Sequence, residues 1–161
     1  MKKRLFSFLL VCSVLLHTAP IFATDIQLVI DGNAITIPEN LGSVREADER
    51  ILIPVRFLAE HMGYKVDYSD SNMVNGTEVE SATLTAPTGT TCLVMHNSLQ
   101  MYVLPGPNET KGGPITMDTP AFIDETENRF YAPVRFLAQA LNCSVTWDEE
   151  TRTVSLDKQA Q

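Results

Sequence analysis

The chain has 161 residues, with 20 acidic and 12 basic side chains and a formal net charge of −8 at pH 7. This negative balance argues against nucleic-acid binding and against adsorption to anionic lipid, because both require a basic surface. No long run of like charges occurs, so the acidic side chains are expected to solvate the surface of an ordinary folded domain.

The first 23 residues have the layout of a secretory signal peptide. Residues 2–4 are basic, residues 5–16 are mostly apolar, and a segment with small residues follows up to Ala23. The apolar run is shorter than the roughly 20 residues that a membrane-spanning helix needs. We therefore predict cleavage after Ala23 and export of residues 24–161 as one domain, whose nine basic and 20 acidic residues give a net charge of −11. An uncleaved membrane anchor is the alternative.

A β-hairpin is predicted at the start of the exported domain. Apolar side chains recur with the period of a strand from Ile26 to Ile30, and the pattern resumes at Ile35. Asp31-Gly32, between the two runs, is a strong signal for a two-residue turn.

The hexapeptide PVRFLA occurs at residues 54–59 and again at residues 133–138. In each copy the proline suits the first helical position, where its missing N–H is not needed, and the valine, leucine and alanine fall on one face at helical spacing. Gly63 follows the first copy and Asn142 the second, and both residues readily adopt the left-handed conformation that ends a helix. The pattern predicts one helix of about ten residues in each copy, held by packing on a sheet.

A strand with alternating apolar residues is predicted after each helix. The residues that share one face are Tyr64, Val66 and Tyr68 in the first copy and Cys143, Val145 and Trp147 in the second. This pattern predicts that the rings of Tyr68 and Trp147 lie in the core. In the second copy a polar turn at residues 148–151 leads to a last strand, in which Val154 and Leu156 point the same way.

The segment between the copies predicts one loop and two hairpins. Residues 72–80 are polar and are predicted to form a surface loop. The predicted hairpin strands are residues 82–86 with 91–96 and residues 99–103 with 115–117. The connection of the second hairpin, PGPNETKGG at residues 105–113, is predicted to be an exposed loop.

These elements predict an α+β fold that is mainly β, with two tandem pseudo-repeats of strand-strand-helix-strand-strand and one short helix in each. The repeat halves are expected at about residues 25–80 and 81–157, and their small size favours a shared core. The residues predicted to form the structural core of the repeats are Pro54, Val55, Arg56, Phe57, Leu58, Pro133, Val134, Arg135, Phe136, Leu137 and Trp147.

Arg56 and Arg135 are the charged residues of the repeated hexapeptide, and two roles are open for them. One is structural, with the stem packed and the guanidinium group on a carboxylate or carbonyl of the sheet. The other is contact with an anion or a glycan. The structural role predicts that Arg135→Ala destabilises the fold by ~2 kcal/mol or more if the guanidinium group is buried and paired.

Two cysteines, Cys92 and Cys143, stay in the exported domain after Cys12 is removed with the signal peptide. An even number of cysteines in an exported protein is compatible with a disulfide, which would stabilise the fold by ~2–4 kcal/mol. Two small buried thiols are the alternative, because both cysteines lie in apolar strand patterns.

No catalytic motif is found, and the chain is predicted not to be an enzyme and to need no cofactor. The sequence has no nucleophile elbow, no zinc-protease motif and no phosphate-binding glycine loop. No metal site is predicted, although His61, His96, Met95 and Met101 are residue types that suit copper. Tyr102 and Tyr131 are candidates for a ligand contact, because tyrosines that are not assigned to the core can be exposed.

The segments ILIPVRFLAEHMGYKVDY and FYAPVRFLAQALNCSVTWDEETRTVSL resemble the copper amine oxidase N-terminal-like domain, the stalk domain of secreted bacterial proteins. The resemblance covers about residues 26–156. A stalk domain lies outside the catalytic barrel of an amine oxidase, so the resemblance implies no oxidase activity. The copper site of those oxidases needs three histidine ligands and a tyrosine-derived cofactor, and only His61 and His96 lie outside the signal peptide.

The sequence therefore predicts an exported, non-catalytic, stalk-like structural or interaction module that acts at the cell envelope or outside the cell. The expected partner is an envelope or extracellular protein, bound through exposed strand edges or through the loop at residues 105–113. Binding of cell-wall polysaccharide through exposed tyrosines is the main alternative, and copper binding is a remote one. No nucleic-acid partner and no membrane span after removal of the signal peptide are expected.

Overall fold

A computed structural model of the protein describes residues 25–159; the predicted signal peptide lies outside this range. The described residues form an α+β structure that is mainly β, as predicted. Its strands are β1 (Gln27–Ile30), β2 (Asn33–Ile35), β3 (Arg45–Ala47), β4 (Arg50–Pro54), β5 (Lys65–Val74), β6 (Thr77–Thr85), β7 (Thr91–Met95), β8 (Ser98–Leu104), β9 (Gly113–Asp124), β10 (Arg129–Pro133), β11 (Cys143–Asp148) and β12 (Thr153–Lys158). The helices are α1 (Val55–His61), α2 (Val134–Ala140) and a short 3₁₀ helix, Glu39–Leu41.

The strands form two sheets. The larger has eight strands in the order β3-β4-β10-β9-β8-β7-β6-β5, and every neighbouring pair in it is antiparallel. The smaller has four strands in the order β11-β12-β1-β2, in which β1 runs parallel to β12. Because β1 and β12 come from opposite ends of the sequence, the small sheet ties the beginning of the domain to its end.

The strands that lead into the two helices pair with each other as the second and third strands of the large sheet. Pro54 lies opposite Tyr131, Ile53 opposite Ala132, and Leu52 opposite Pro133. Helix α1 contacts β10 as well as its own neighbour β4, and α2 contacts β4 as well as β10. Each helix therefore packs on the strand that introduces the other, and both cover one shared core.

The hexapeptides supply much of this core. The valine of each hexapeptide is buried, and its leucine, Leu58 or Leu137, has no solvent-exposed surface. Of the residues predicted to form the core of the repeats, Arg56 and Phe136 are half-buried, and seven are buried: Pro54, Val55, Phe57, Leu58, Pro133, Val134 and Leu137. Arg135 is exposed and Trp147 has an exposed fraction of 38%, which contradicts a core position for these two.

Each helix is seven residues long and ends as the sequence predicts. Pro54 and Pro133 do not occupy the first helical position; each is the last residue of its strand and the residue before the helix. Gly63 and Asn142 adopt left-handed backbone conformations, with φ of 89° and 55°. After α1 the N–H of Tyr64 donates to the carbonyl of Ala59 at 2.8 Å, which completes the hydrogen bonds of a left-handed helix end.

The predicted loop at residues 72–80 is instead a hairpin. Strands β5 and β6 continue through this segment and join at Asn75-Gly76, whose φ angles are 51° and 82°. Asn-Gly is a preferred sequence for such a two-residue turn, because both residues tolerate positive φ. The expected boundary of the halves at residue 80 therefore falls inside β6, and the short hairpin β3–β4 precedes α1 without having been predicted.

The connection at residues 105–113 is exposed at most positions but is fixed at its base. The N–H of Gly106 donates to the Thr90 hydroxyl at 2.9 Å, and that hydroxyl donates to the carboxylate of Glu109 at 2.5 Å. A side chain at position 106 would meet the carbonyl oxygen of Thr88 at 2.5 Å, so the close approach requires glycine.

Cys92 and Cys143 are free and buried, so the disulfide alternative is wrong and the buried-thiol alternative holds. The thiol of Cys143 lies 3.7 Å from the Met62 sulfur. Burial raises the pKa of Cys92 to about 12 and that of Cys143 to about 11. Neither thiol is therefore reactive at neutral pH, because the thiolate is the nucleophilic form.

Candidate functional site

The outer strands of the two sheets line one cleft of about 830 Å³, which we call the edge cleft. Strand β2 is the last strand of the small sheet and β3 is the last strand of the large sheet. Thr36 and Ile37 line the cleft next to β2, and Val44 and Glu46 line it at β3. Each strand pairs on one side only, so the cleft separates two open sheet edges.

The two hairpin turns determine which backbone groups face the cleft. Asp31-Gly32 and Asp48-Glu49 are two-residue turns with positive φ at both positions. In such hairpins the residues that flank the turn form a hydrogen-bonded pair, and the next residues direct their N–H and C=O away from the partner strand. This alternation directs the backbone groups of Thr36 and Glu46 toward the free edges.

A cluster around Arg45 anchors β3 to the turn between β9 and β10. The Arg45 guanidinium donates to Asp124 at 2.6 Å and pairs with Glu127, and it lies 4.2 Å from the centre of the Tyr131 ring. The Tyr131 hydroxyl donates to Glu127 at 2.8 Å and accepts from the N–H of Ser43 at 3.4 Å. Hydrogen bonds from Thr126 and Arg45 hold the pKa of Asp124 well below its usual range. The cluster therefore fixes one wall of the edge cleft.

A second concavity, of about 420 Å³, opens between α1, β5 and the turn before β10; we call it the Tyr68 pocket. Tyr68 stacks on Phe130 with ring centres 6.2 Å apart and an angle of 20° between the planes. The Arg56 guanidinium lies 4.7 Å from the centre of the Tyr68 ring and donates to Glu60 at 3.2 Å. Tyr68 was predicted to be a core residue, but 43% of its surface is exposed.

A second arginine reaches the same pocket from β10. The guanidinium of Arg129 donates to the backbone carbonyl of Asn40, which fixes its position without neutralising its charge. Burial raises the pKa of the Tyr68 hydroxyl, and the positive charges of Arg56 and Arg129 oppose that rise. Two guanidinium groups therefore act on one hydroxyl at the mouth of the pocket.

The other helix has the same length and the same hexapeptide, but the side chains around it make different contacts. We call β4, α1 and β5 with Arg129 the first corner, and β10, α2 and β11 with Arg50 the second corner. In the second corner Arg50 donates to the Asp118 carboxylate through Nε at 2.9 Å and Nη2 at 2.7 Å. These hydrogen bonds lower the pKa of Asp118, and the charge of Arg135 lowers it further. A carboxylate of the chain itself therefore pairs with Arg50, near the charge of Arg135.

Trp147 takes the place of Tyr68 in the second corner but makes other contacts. Its indole N–H donates to Glu149 at 2.6 Å, and Arg152 lies 5.8 Å from the ring centre. The ring is partly exposed because β11 is the outer strand of the small sheet. A period-two pattern does not show that a strand lies at a sheet edge, so the core prediction for Trp147 fails there.

The two tyrosines predicted to contact a ligand do not form a binding surface. Tyr131 is fully buried, which contradicts its predicted exposure; β10 has a neighbouring strand on each side, and Arg45 lies on the ring. Tyr102 is half-buried, and its hydroxyl donates to Gln100 at 2.6 Å.

The residues weighed for copper have other partners. His96 accepts the N–H of Ile123 through Nδ1 at 2.9 Å, and its Nε2 lies 2.9 Å from the amide of Asn97. Met95 and Met101 are buried, and His61 is exposed. Among residues 25–159 no group of three or more histidine, cysteine or acidic side chains is arranged to hold a metal ion. In the same range no helix is long and apolar enough to cross a membrane.

Arg129 was the residue of the Tyr68 pocket that the sequence analysis missed. A signal for it is present, because Arg50 precedes the first PVRFLA by four residues and Arg129 precedes the second by four. Strands β4 and β10 begin at these arginines. Extending the comparison of the two copies toward the N-terminus would have identified the pair.

A family model described as the copper amine oxidase N-terminal domain matches residues 29–156. The match includes both helices and both corners, and it confirms the resemblance inferred from the two PVRFLA segments. No curated protein and no solved structure matches the chain.

Proposed function

The chain belongs to the family of the copper amine oxidase N-terminal domain, a non-catalytic type of domain, and on this basis we propose that it is an exported structural and interaction module. It acts at the cell envelope or outside the cell as a stalk-like domain. The proposed ligand is an extended segment of a partner protein, bound in the edge cleft.

The edge cleft carries this proposal, because an unpaired strand edge is a template for another strand. Strands β8 and β9, which precede the second corner as β2 and β3 precede the first, pair directly with each other. Strands β2 and β3 have no such pairing. A peptide strand between them would satisfy the backbone groups of both edges.

The charges of the cleft indicate the chemistry of the partner. Asp25 and Glu46 contribute negative charge, and Arg152 donates to Glu46 at 2.7 Å. Apolar side chains such as Ile37 and Val44 form the rest of the lining. The cleft is suited to a neutral or basic segment with alternating apolar residues, which also complements the acidic chain as a whole.

We further propose that the two halves are tandem pseudo-repeats. The observations that favour this are the identical hexapeptides, the equal length of α1 and α2, and the pairing of Ile53 with Ala132. The paired positions 53 and 132 are 79 residues apart, which is also the distance between the two hexapeptides at 54 and 133. Ile53 and Ala132 are therefore equivalent residues of the two copies, and β4 and β10 pair symmetrically about them.

Selection of bound sequences from a displayed peptide library on the full chain tests the binding proposal, with the site mapped by amide hydrogen exchange. We expect bound peptides to protect amides of β2 and β3. Thr36→Pro removes an N–H that faces the cleft and should weaken binding about tenfold or more. Thr36→Val keeps that N–H and is the matched control.

Two results would contradict the proposal. Peptides that protect β5 or β11 would place the interaction at another strand edge, and equal binding by Thr36→Pro and Thr36→Val would remove backbone pairing from the mechanism. Retention on purified wall glycan at high salt, with no peptide selected, would favour the polysaccharide alternative.

A further inference from the structure

The Tyr68 pocket has the chemistry of an anion site in a chain that is acidic overall. Arg56 and Arg129 both line the pocket, and Arg56 lies 4.7 Å from the centre of the Tyr68 ring. Arg56 donates to Glu60 and Arg129 to the Asn40 carbonyl, and each guanidinium group carries five N–H donors. A guanidinium group binds carboxylate in a planar, two-point geometry. The volume of about 420 Å³ lies in the range of small-molecule sites.

The second corner shows which ligand such an arginine pair accepts. There Arg50 and Arg135 stand where the first corner has Arg129 and Arg56, each 79 positions away. Asp118 accepts two hydrogen bonds from Arg50 and is influenced by the charge of Arg135. A carboxylate therefore pairs with one arginine of this pair, close to the other, within the same protein.

Counted by the register of the sheet, the first corner has no carboxylate at the position of Asp118. In the large sheet Arg129 pairs with Asp124, and Asp118 lies six residues before Asp124. Arg50 pairs with Ala47 in the same way. The residue six positions before Ala47 is Leu41, which lines the Tyr68 pocket. At this register an apolar side chain stands in place of the acid. Arg56 pairs with Glu60, and Asp70 lines the pocket, but the partner of Arg129 is a backbone carbonyl, so its charge is open to an acid from outside.

We propose that the Tyr68 pocket binds the carboxylate of an acidic sugar between the guanidinium groups of Arg56 and Arg129. The rest of the lining suits a sugar ring. Asp70 and Asn128 offer acceptors and donors for ring hydroxyl groups, and Ile123 and Phe130 supply an apolar wall for the C–H face of the ring. This site shares no lining residue with the edge cleft, so it does not depend on peptide binding there.

Calorimetric titration of the full chain with trigalacturonate tests the proposal, with maltotriose as the neutral control and an acetylated triglutamate amide as the acidic peptide control. We expect binding of trigalacturonate alone. Arg56→Gln and Arg129→Gln should each weaken it about tenfold or more, because each loses charged hydrogen bonds. Arg135→Gln is the matched control and should leave the affinity unchanged.

Two more variants distinguish loss of the binding site from a folding defect and from a general effect of charge. Arg56→Lys keeps the charge but loses the two-point geometry, and it should bind with an affinity between those of the native chain and Arg56→Gln. Leu41→Asp places a competing carboxylate in the pocket and should abolish binding, whereas Leu41→Asn should not.

Three results of these titrations would contradict the proposed acidic-sugar site. Failure of trigalacturonate to bind would overturn the proposal, and so would an equal loss of affinity in Arg135→Gln. Equal binding of the triglutamate peptide would show that the pocket recognises acids without a sugar, which contradicts the assigned ligand class. Peptide binding in the edge cleft is measured separately, so its failure would leave these results intact.

Discussion

The two corners have the same hexapeptide and a helix of the same length, and they differ in what surrounds the arginine. In the first corner Arg56 lies on the Tyr68 ring and borders an open pocket. In the second corner Arg135 is exposed, and the neighbouring arginine is neutralised by Asp118. This difference indicates that the apolar residues of PVRFLA determine the fold, whereas residues outside the hexapeptide determine which contacts its arginine makes.

The strongest test of this shared fold is truncation of the two equivalent core leucines. Leu58 and Leu137 are fully buried, so Leu58→Ala and Leu137→Ala should each lower the free energy of unfolding by ~2–5 kcal/mol. Chemical denaturation measures both. Leu104→Ala, at a position with 61% of its surface exposed, is the control and should change stability by less than about 0.5 kcal/mol. A small loss in only one leucine variant would show that the two corners do not share the core equally.

Substitutions at the helix ends should change the stability of the fold less than the leucine truncations do. Gly63 has a φ of 89°, so Gly63→Ala should cost about 1 kcal/mol through left-handed strain. Asn142→Gly relieves the same strain in the second corner and should stabilise the fold by a few tenths of a kcal/mol or leave it unchanged. Thermal unfolding of both variants measures the difference. A destabilising Asn142→Gly would mean that the asparagine side chain has a role of its own.

The arginines of the two hexapeptides should contribute less to the free energy of unfolding than the sequence suggested. A buried, paired guanidinium predicted a cost of ~2 kcal/mol for Arg135→Ala, but Arg135 is exposed, and the expected cost is below about 0.5 kcal/mol. Arg56→Ala should cost up to ~1 kcal/mol, because it removes a ring contact and a pair with Glu60. Equal losses would contradict the structural difference between the corners.

Acid should weaken the anchoring of the turn between β9 and β10. The folded pKa of Asp124 lies below its unfolded value, so its contribution is present above about pH 4 and is lost as pH falls through the folded pKa. The effect is modest because the pair with Arg45 is partly exposed to solvent. Asp124→Asn should flatten the fall in stability on the acid side. An unchanged acid profile would remove Asp124 from this role.

Much of the scaffold follows from local sequence signals. The two helices, their left-handed ends and the Asp31-Gly32 turn are predicted correctly, because each depends on residues close in sequence. The β5–β6 hairpin was missed although Asn75-Gly76 signals it, since the flanking polar residues have no strand periodicity. They are polar because β5 is an outer strand with much of its surface in solvent.

The pocket could not be predicted in the same way, because it is formed by long-range pairing. Tyr68 of β5 meets Phe130 of β10 and lines one pocket with Arg129, although β5 and β10 are far apart in the sequence and in the strand order. Nothing within one repeat indicates that contact. The arginines that precede both hexapeptides are the one feature of the site that sequence comparison within the chain can identify.

The guanidinium Nε–H signals of the arginines, followed by NMR during titration with trigalacturonate, test the difference between the corners most directly. We predict that the signals of Arg56 and Arg129 shift with saturation, while those of Arg50 and Arg135 stay in place. Equal shifts of all four signals, or shifts confined to Arg50 and Arg135, would contradict the assignment of the open anion site to the first corner.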